Sequence, residues 1–174
     1  MNKLLIVVDM QKDFVDGALG SKEALAIVEP VVQKIQGFDG DIIVTYDTHQ
    51  PNYMDTQEGK NLPVPHCIKG TAGWELDHRV QKALEGKPYK VIEKPTFGST
   101  ELPEYIKATY GSAPDMELIG LCTDICVVSN ALLLKANFLE AKVSVDAACC
   151  AGVTIESHQA ALTTMKMCQI TVIE

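Results

Sequence analysis

Short, continuous apolar runs alternate with segments of helical periodicity along the whole chain, and this alternation constrains the fold more than any other feature. Runs that are apolar throughout, rather than at every second residue, are typical of strands buried on both faces. The predicted strands are 3–8, 41–46, 89–93, 115–121, 142–145 and 169–173. Six strands that alternate with helices predict a single domain over residues 1–174, a three-layer α/β/α fold with a six-stranded, mostly parallel, Rossmann-like sheet.

The segments between the strands supply the predicted helices. The first runs from Ser21, a good N-cap, to Gly37, a good C-terminal stop, and Pro30 is expected to bend its middle. Further helices are predicted over 74–84, 101–108, 126–139 and 154–167. The stretch 48–73 is rich in proline and glycine and is predicted to be a long loop. The chain has no internal repeat and no low-complexity linker that would indicate a second domain.

Charge and cysteine content limit the partners and the compartment. The formal net charge is −8, from 23 acidic and 15 basic side chains, which argues against nucleic acid and anionic membrane as partners. No signal peptide and no apolar run of transmembrane length is visible, so a cytoplasmic location is expected. The six cysteines are therefore expected to be reduced thiols, with Cys149, Cys150 and Cys168 in the core.

Reactive side chains stand at the predicted ends of four strands. Asp9 follows the first strand, Asp47 the second and Lys94 the third, and the fourth runs into the segment Gly120 to Cys126. Because ligands bind at the carboxyl ends of parallel strands, these side chains are expected to meet at one edge of the sheet. That edge is the predicted active site.

Cys126 is the predicted nucleophile. It lies where a strand and turn enter a helix, and both the helix N-terminus and a nearby Lys94 would favour its thiolate. Asp9 would then accept the thiol proton as general base, and the first backbone N–H groups of the helix would stabilise an oxyanion. The alternative is that Cys126 is a packed residue of an apolar helix.

Three residues around the predicted loop form a candidate metal site. Asp47 and His49 make an Asp-x-His pair, and His66 adds a second imidazole. One carboxylate and two imidazoles suit Zn, Fe or Mn. Alternatively, Asp47 is a turn residue and His66 an ordinary loop histidine. His78 and His158 lie on predicted helices away from the strand ends and are expected to be surface or structural residues.

These residues belong to motifs that resemble a known family, the isochorismatase-like cysteine hydrolases, and within it the nicotinamidase-like amidases. The resemblance covers nearly the whole chain, with the motifs in the family's order. It rests on the segments VDMQKDF (8–14), DTH (47–49), HCIKGT (66–71), EKPTFG (93–98) and GLCTDICV (120–127).

The resemblance implies an activity and a role for each residue. It implies a catalytic triad of Asp9, Lys94 and Cys126, and a cis peptide between Leu121 and Cys122 that turns the N–H groups of Cys122 and Cys126 toward the oxyanion. It implies one divalent metal ion, zinc first, with iron or manganese as alternatives, which contacts the pyridine nitrogen of a small amide, nicotinamide. The implied metal ligands are Asp47, His49 and His66. The implied substrate contacts are Phe14 and Leu121.

The pocket departs from the family pattern. Pro63, beside Leu62, stands where some nicotinamidases carry a tryptophan, and the segment after Lys94 lacks a common tyrosine and aspartate. Three alternatives to a nicotinamidase therefore stay open: the same triad acting on another small amide or ureido compound, a metal–water hydrolase, and a non-catalytic binding protein. The apolar helix from Val127 to Leu139 packs either on the core or on a second subunit, so a homo-oligomer also stays open.

Overall fold

The computed structural model describes residues 3–111 and 114–174. Its centre is a six-stranded sheet in which every neighbouring pair is parallel, in the order β3-β2-β1-β4-β5-β6. The fold predicted from the sequence is confirmed. The strands are β1 (Lys3–Val8), β2 (Asp41–Asp47), β3 (Tyr89–Lys94), β4 (Asp115–Leu121), β5 (Val143–Ala151) and β6 (Thr171–Ile173).

Helices cover both faces of this sheet. They are α1 (Lys12–Val15), α2 (Lys22–Ala26), α3 (Val28–Gly37), α4 (Gln57–Asn61), α5 (His78–Leu84), α6 (Glu101–Tyr110), α7 (Val128–Asn137) and α8 (Ile155–Met167). A 3-10 turn (Tyr53–Asp55) precedes α4, and a π turn (Thr123–Val127) precedes α7. None of the helices in the described ranges is both long and apolar enough to cross a membrane.

Alternation along the strands divides the core into two apolar layers. Leu5 and Val7 of β1 face a layer that includes α2, α3 and α5, whereas Leu4 and Ile6 face a layer that includes α6, α7 and α8. Successive strand residues point to opposite faces, so a strand buried on both sides must be apolar throughout. This explains why the apolar runs were good strand predictors.

The first predicted helix is two helices in the structure. The break falls at Ile27, between α2 and α3, rather than at Pro30. Pro30 is the third residue of α3, inside the first helical turn, where backbone N–H groups have no partner within the helix. In a continuous helix the Pro30 ring would clash with the carbonyl of Ala26, the last residue of α2, so the break at Ile27 is the interruption that the proline predicts, three residues earlier than expected.

Other predicted boundaries shift for identifiable reasons. Helix α5 begins at His78 rather than Trp74, because the Asp77 side chain caps it by accepting a 2.9 Å hydrogen bond from the Arg79 N–H. Strand β5 continues to Ala151, well beyond the predicted end, with a bulge in its pairing to β4. Cys168, predicted to lie in the core, caps the end of α8 and is exposed.

The sheet order places the functional edge. The chain builds β1, β2 and β3 outward in one direction and then crosses to the other side of β1 to form β4. This reversal creates a switch point between β1 and β4, where loops at the carboxyl ends diverge and leave a crevice. Asp9 and the π turn after β4 border that crevice.

Candidate active site

Three side chains from three different strand ends meet at the carboxyl edge of the sheet. Asp9 directly follows β1, Lys94 is the last residue of β3, and Cys126 lies in the π turn after β4. Their residues are 0%, 1% and 5% exposed, respectively. Two charged groups that are this deeply buried must compensate one another.

Asp9 is held in an unusual backbone conformation. Its φ is 47°, in the left-handed region that a residue with a side chain adopts only at a cost. The Thr45 hydroxyl donates a 2.6 Å hydrogen bond to Oδ1. Next to it, Gly120 lets β4 approach β1 closely, because a Cβ there would lie 2.1 Å from the Val8 carbonyl oxygen. The chain thus leaves β1 sharply and turns the carboxylate into the crevice.

Lys94 bridges the other groups of the site. Its Nζ lies 2.5 Å from Asp9 Oδ2, 3.4 Å from Cys126 Sγ and 3.6 Å from Asp47 Oδ1. It also donates a 3.0 Å hydrogen bond to the Thr96 carbonyl oxygen, which fixes its direction. One ammonium group therefore stands between a candidate base and a candidate nucleophile.

Burial sets the protonation of this centre. It raises the pKa of Asp9 above its ordinary value, against the opposing charge of Lys94. It also raises the pKa of the Cys126 thiol well above its ordinary value, and the negative charge of Asp9 adds to this. Burial lowers the pKa of Lys94, but the negative charges of Asp9, Cys126 and Asp47 outweigh it and raise that pKa overall. These directions are consistent with an ammonium on Lys94 and one proton shared between Asp9 and Cys126.

The segment around the nucleophile is a tightly wound turn. The expected cis peptide between Leu121 and Cys122 is present. The Cys122 carbonyl oxygen accepts backbone hydrogen bonds from both Ile125 and Val127, at 3.1 and 3.0 Å. Below the turn, the buried Asn130 amide donates a 2.8 Å hydrogen bond to the Cys126 carbonyl oxygen. The predicted continuous helix 126–139 is thus a π turn followed by α7.

A second cluster lies beside Lys94. Asp47, His49, Glu58 and His66 each offer one ligand atom, and these atoms lie within 4.8 Å of one another. The Nε2 atoms of His49 and His66 are 3.0 and 3.5 Å from Asp47 Oδ2, and 3.5 and 3.8 Å from Glu58 Oε1. The structure therefore brings together the three metal ligands predicted from the sequence and adds Glu58.

Neighbouring groups aim the imidazoles of this cluster. Nδ1 of His66 lies 2.8 Å from the Val64 carbonyl oxygen, which only accepts, so Nδ1 carries a proton and Nε2 is the nitrogen that faces Asp47 and is available to a metal ion. The buried Tyr53 ring packs edge-on against His49 and His66, with centroids 4.8 and 5.1 Å away. The Val64 carbonyl and the Tyr53 ring thus hold these imidazoles in place.

The donor set fits a divalent metal ion. Burial would raise the pKa of Asp47, but hydrogen bonds from both histidines, together with Lys94, hold it well below its usual range. Two carboxylates and two imidazole nitrogens are ligands typical of Zn, Fe and Mn sites. Cys67, which adjoins His66, is not part of the group.

Gln11 ties the cluster to the sheet. Its side-chain oxygen accepts a 2.7 Å hydrogen bond from the Asp47 N–H, and its nitrogen donates to the Asp47 carbonyl oxygen at 2.8 Å. The chain has left β1 at Asp9, so this amide takes the place that a β1 residue would occupy beside β2. Sequence analysis missed Gln11, because a buried glutamine two residues beyond a strand end gives no periodic signal.

A cavity of about 500 Å³ opens above Cys126 and reaches the histidine–carboxylate cluster. Phe14 forms part of its wall and packs against His66, with ring centroids 5.5 Å apart. The remaining wall is mainly apolar, which suits a small aromatic ligand. Leu121 is fully buried in the core, so its predicted contact with substrate stays a prediction. Other lining residues are Leu19, Leu62, Phe97, Cys122 and Val153.

The two remaining histidines differ. His78 is exposed at the start of α5, as predicted. His158 was predicted to lie away from the strand ends, and this was wrong. Its Nδ1 lies 2.8 Å from Thr123 Oγ1, in the turn that carries Cys126. The prediction failed because β5 extends to Ala151 and delivers the first turn of α8 to the carboxyl edge.

Fold and site together define a class: a doubly wound, three-layer α/β protein with a buried cysteine–lysine–aspartate centre beside a histidine–carboxylate cluster. The isochorismatase domain model matches residues 3–174, and the chain belongs to that family.

Similar proteins agree with this assignment. An uncharacterized isochorismatase family protein of Bacillus subtilis is 32% identical over 76% of this chain and 78% of its own length. The crystal structure of a nicotinamidase/pyrazinamidase from Bacillus subtilis is 28% identical, covers 100% of both chains and has a TM-score of 0.87. A pyrazinamidase of Pyrococcus horikoshii, solved in complex with zinc, is 26% identical over 100% of this chain and 99% of its own, with a TM-score of 0.83.

Proposed function

We propose that this chain is a cysteine-dependent amidohydrolase that converts nicotinamide and water to nicotinate and ammonia. One observation carries the proposal: Lys94 Nζ lies 2.5 Å from the Asp9 carboxylate and 3.4 Å from the Cys126 thiol, at the wall of a cavity. A base, a nucleophile and a cation that stabilises its thiolate are thus in contact. A protein that only binds a ligand has no need of this set.

The amide substrate is inferred from the pocket and from similar proteins. The cavity is mainly apolar, carries the aromatic ring of Phe14, and has the histidine–carboxylate cluster on one side. The solved relatives from Bacillus subtilis and Pyrococcus horikoshii are named for hydrolysis of nicotinamide and pyrazinamide, both small aromatic amides. An aromatic ring with a nitrogen directed at the cluster fits such a pocket.

Catalysis begins with transfer of the shared proton. Asp9 takes the proton of Cys126, and Lys94 stabilises the thiolate that forms. The thiolate attacks the carboxamide carbon, and the carbonyl becomes an oxyanion held by the N–H groups of Cys122 and Cys126. Asp9 then gives its proton to the leaving nitrogen as the C–N bond breaks, which releases ammonia and leaves a thioester on Cys126.

The second half uses the same groups in reverse. Asp9 accepts a proton from a water molecule as its oxygen attacks the thioester carbon. The intermediate collapses, the C–S bond breaks, and the departing thiolate takes the proton from Asp9. Nicotinic acid is released and loses its remaining proton to solvent to give nicotinate, and Asp9 and Cys126 again share one proton beside Lys94.

The histidine–carboxylate cluster would hold one divalent ion, zinc first, with iron and manganese as alternatives. The holding residues would be Asp47, His49, Glu58 and His66. When bound, the ion supplies a Lewis-acid contact that orients the ring nitrogen of the substrate. Through the 3.6 Å contact between Asp47 and Lys94, this cluster also borders the catalytic centre. We further propose that residues 1–174 form one hydrolase domain.

One second candidate keeps the same triad but changes the substrate to another small amide or ureido compound. The observation that favours it is a part of the cavity wall that departs from the nicotinamidase pattern. There Leu62 and Phe97 line the cavity with partly exposed side chains, and Pro63, beside Leu62, stands where some nicotinamidases carry a tryptophan.

An ammonia-release assay tests the proposal. The metal-loaded protein is given nicotinamide, pyrazinamide and a panel of aliphatic amides and ureido compounds, each with and without a chelator. We expect release from the aromatic amides, with a raised KM for nicotinamide after chelation. Release from aliphatic or ureido compounds alone would support the second candidate. No release from the whole panel would overturn both.

A further inference from the structure

Two side-chain contacts tie the turn that carries the nucleophile to the segment at the start of α8. Thr123 is fully buried, and its Oγ1 lies 2.8 Å from Nδ1 of His158. Asp124 accepts hydrogen bonds from the Val153 N–H at 3.2 Å on each carboxylate oxygen. Both partners belong to the junction between β5 and α8, which is separate from the strands that carry Asp9 and Lys94.

The start of α8 is built to hold His158 in place. Thr154 and Ser157 form a reciprocal capping box: the Thr154 hydroxyl accepts from the Ser157 N–H at 3.0 Å, and the Ser157 hydroxyl accepts from the Thr154 N–H at 3.1 Å. His158 follows directly, and its own N–H bonds to the Thr154 carbonyl oxygen at 3.0 Å. A capped first turn fixes both the helix and the direction of this ring.

A glycine lets the chain after β5 pack closely against the first turn of α8. A Cβ on Gly152 would lie 2.8 Å from the Cβ of His158 and 2.9 Å from its backbone nitrogen, closer than such atoms pack. Gly152 and Val153 also line the cavity above Cys126. His158 therefore stands beside the cavity wall, half-buried, with Nδ1 of its ring against the turn.

We infer that His158 is a positioning residue for the oxyanion site, acting through Thr123. The inference rests on the proposed function, because the N–H groups it would position are those of Cys122 and Cys126. Thr123 lies directly after Cys122, so its hydroxyl restrains the peptide plane that follows the first oxyanion donor. A donor displaced by a fraction of an ångström loses much of its effect on the transition state while ground-state binding is unchanged.

Paired substitutions test this. Thr123→Val removes the hydroxyl and keeps the shape, and His158→Ala removes the ring. Each is expected to lower kcat about tenfold, with KM and zinc affinity unchanged. Because both break one contact, the double variant should be no slower than either single variant. Thr123→Ser and His158→Asn, which retain a polar atom at the contact, should recover most of the rate. His78→Ala, at the exposed start of α5, is the matched control and should keep the wild-type rate.

A transition-state probe separates positioning from general loosening of the fold. Pyridine-3-carbaldehyde adds the Cys126 thiolate to give a tetrahedral oxyanion, whereas nicotinate does not. Thr123→Val and His158→Ala should raise the Ki of the aldehyde about tenfold and leave the Ki of nicotinate unchanged. Equal weakening of both inhibitors, an unchanged aldehyde Ki, or additive losses of kcat in the double variant would overturn the inference.

One readout does not depend on the substrate. Backbone amides of residues 122–127 should exchange hydrogen faster in Thr123→Val and His158→Ala than in wild type, and at the wild-type rate in His158→Asn. Exchange that is unchanged in all variants would overturn the inference even if nicotinamide is hydrolysed. If the wild-type protein releases no ammonia, the proposed function fails by itself, and this exchange experiment still decides whether His158 holds the turn.

Discussion

The catalytic centre and the histidine–carboxylate cluster are neighbours, but the fold builds them differently. Asp9, Lys94 and Cys126 come from three strand ends, each fixed by the sheet and by the helix or turn that follows. The cluster takes Asp47 from one strand end, and His49, Glu58 and His66 from the segment that follows it. The sheet therefore positions the reacting atoms, whereas the long connection between β2 and β3 supplies most of the neighbouring ligand site.

Lys94 joins the two regions. Its ammonium contacts Asp9 and Cys126 on one side and Asp47 on the other. No residue belongs to both sets, so we expect changes in the catalytic centre to appear in kcat, and changes in the cluster to appear in metal affinity and KM. The substitutions below, taken from the largest expected effect to the smallest, can break that separation or sharpen it.

The largest effect is expected for Cys126→Ala. Removal of the nucleophile should lower kcat by a factor on the order of 10⁴, while zinc affinity stays at the wild-type value. Cys168→Ala, which changes an exposed cysteine, is the control and should be fully active. Parallel measurement of ammonia release and zinc content checks both parts. An active Cys126→Ala protein would instead favour attack by a metal-bound water.

Asp9→Asn should follow, with a loss of kcat of about 10³-fold. Its side chain can still accept the hydrogen bond from Thr45, but it can no longer take the proton of Cys126. Asp16→Asn, at an exposed ion pair with Lys12, is the matched control. Steady-state kinetics check this, and the separation of the two regions breaks down if Asp9→Asn loses zinc as well.

His49→Asn should weaken zinc binding at least about 100-fold, since loss of a residue that only hydrogen-bonds to a metal ligand already costs about 10- to 100-fold. Its KM for nicotinamide at low zinc should rise. Glu58→Gln should weaken zinc binding less, by about tenfold, because Glu58 is the most exposed member of the cluster. Zinc titration against a competing chelator measures both. Equal zinc affinities in wild type and in both variants would show that the cluster is not the zinc site.

The pH dependence should be the mildest effect. Burial raises the pKa of Asp9 above the ordinary 3.8, so the acidic limb of kcat/KM should lie above that value, where the Asp9–Cys126 pair takes a second proton and Asp9 no longer acts as base. Burial raises the pKa of Cys126 above the ordinary 9.0, so the alkaline limb should lie above that value. A pH profile of kcat/KM at saturating zinc measures the position of both limbs. A thiol limb near neutrality would contradict the shared proton.

The sequence predicted the catalytic centre better than the cluster, for a physical reason. The apolar runs located the ends of β1 to β4 to within one residue, and parallel strands bring such ends to one edge. Asp9, Lys94 and Cys126 could be grouped on that basis alone. Asp47, His49 and His66 could be grouped by ligand chemistry and by the resemblance to nicotinamidases.

The features that were missed depend on tertiary contacts. Glu58 reaches the cluster only because a short helix, α4, forms inside the segment predicted to be a loop. The Gln11 side chain takes the place of a strand residue, and His158 is brought to the site by the part of β5 beyond its predicted end at residue 145. None of these follows from local periodicity, since each depends on how two distant segments pack.

The proposed mechanism depends on a thioester between the substrate acyl group and Cys126, and hydroxylamine can trap this thioester as a hydroxamate. The metal-loaded protein is incubated with nicotinamide and increasing hydroxylamine, and nicotinate, the hydroxamate and ammonia are measured. The account predicts that hydroxamate replaces nicotinate in a constant total, and that rapid quenching leaves a nicotinoyl mass on the peptide containing Cys126. Ammonia release with nicotinate as the sole product at every hydroxylamine concentration, and with unmodified Cys126, would contradict it.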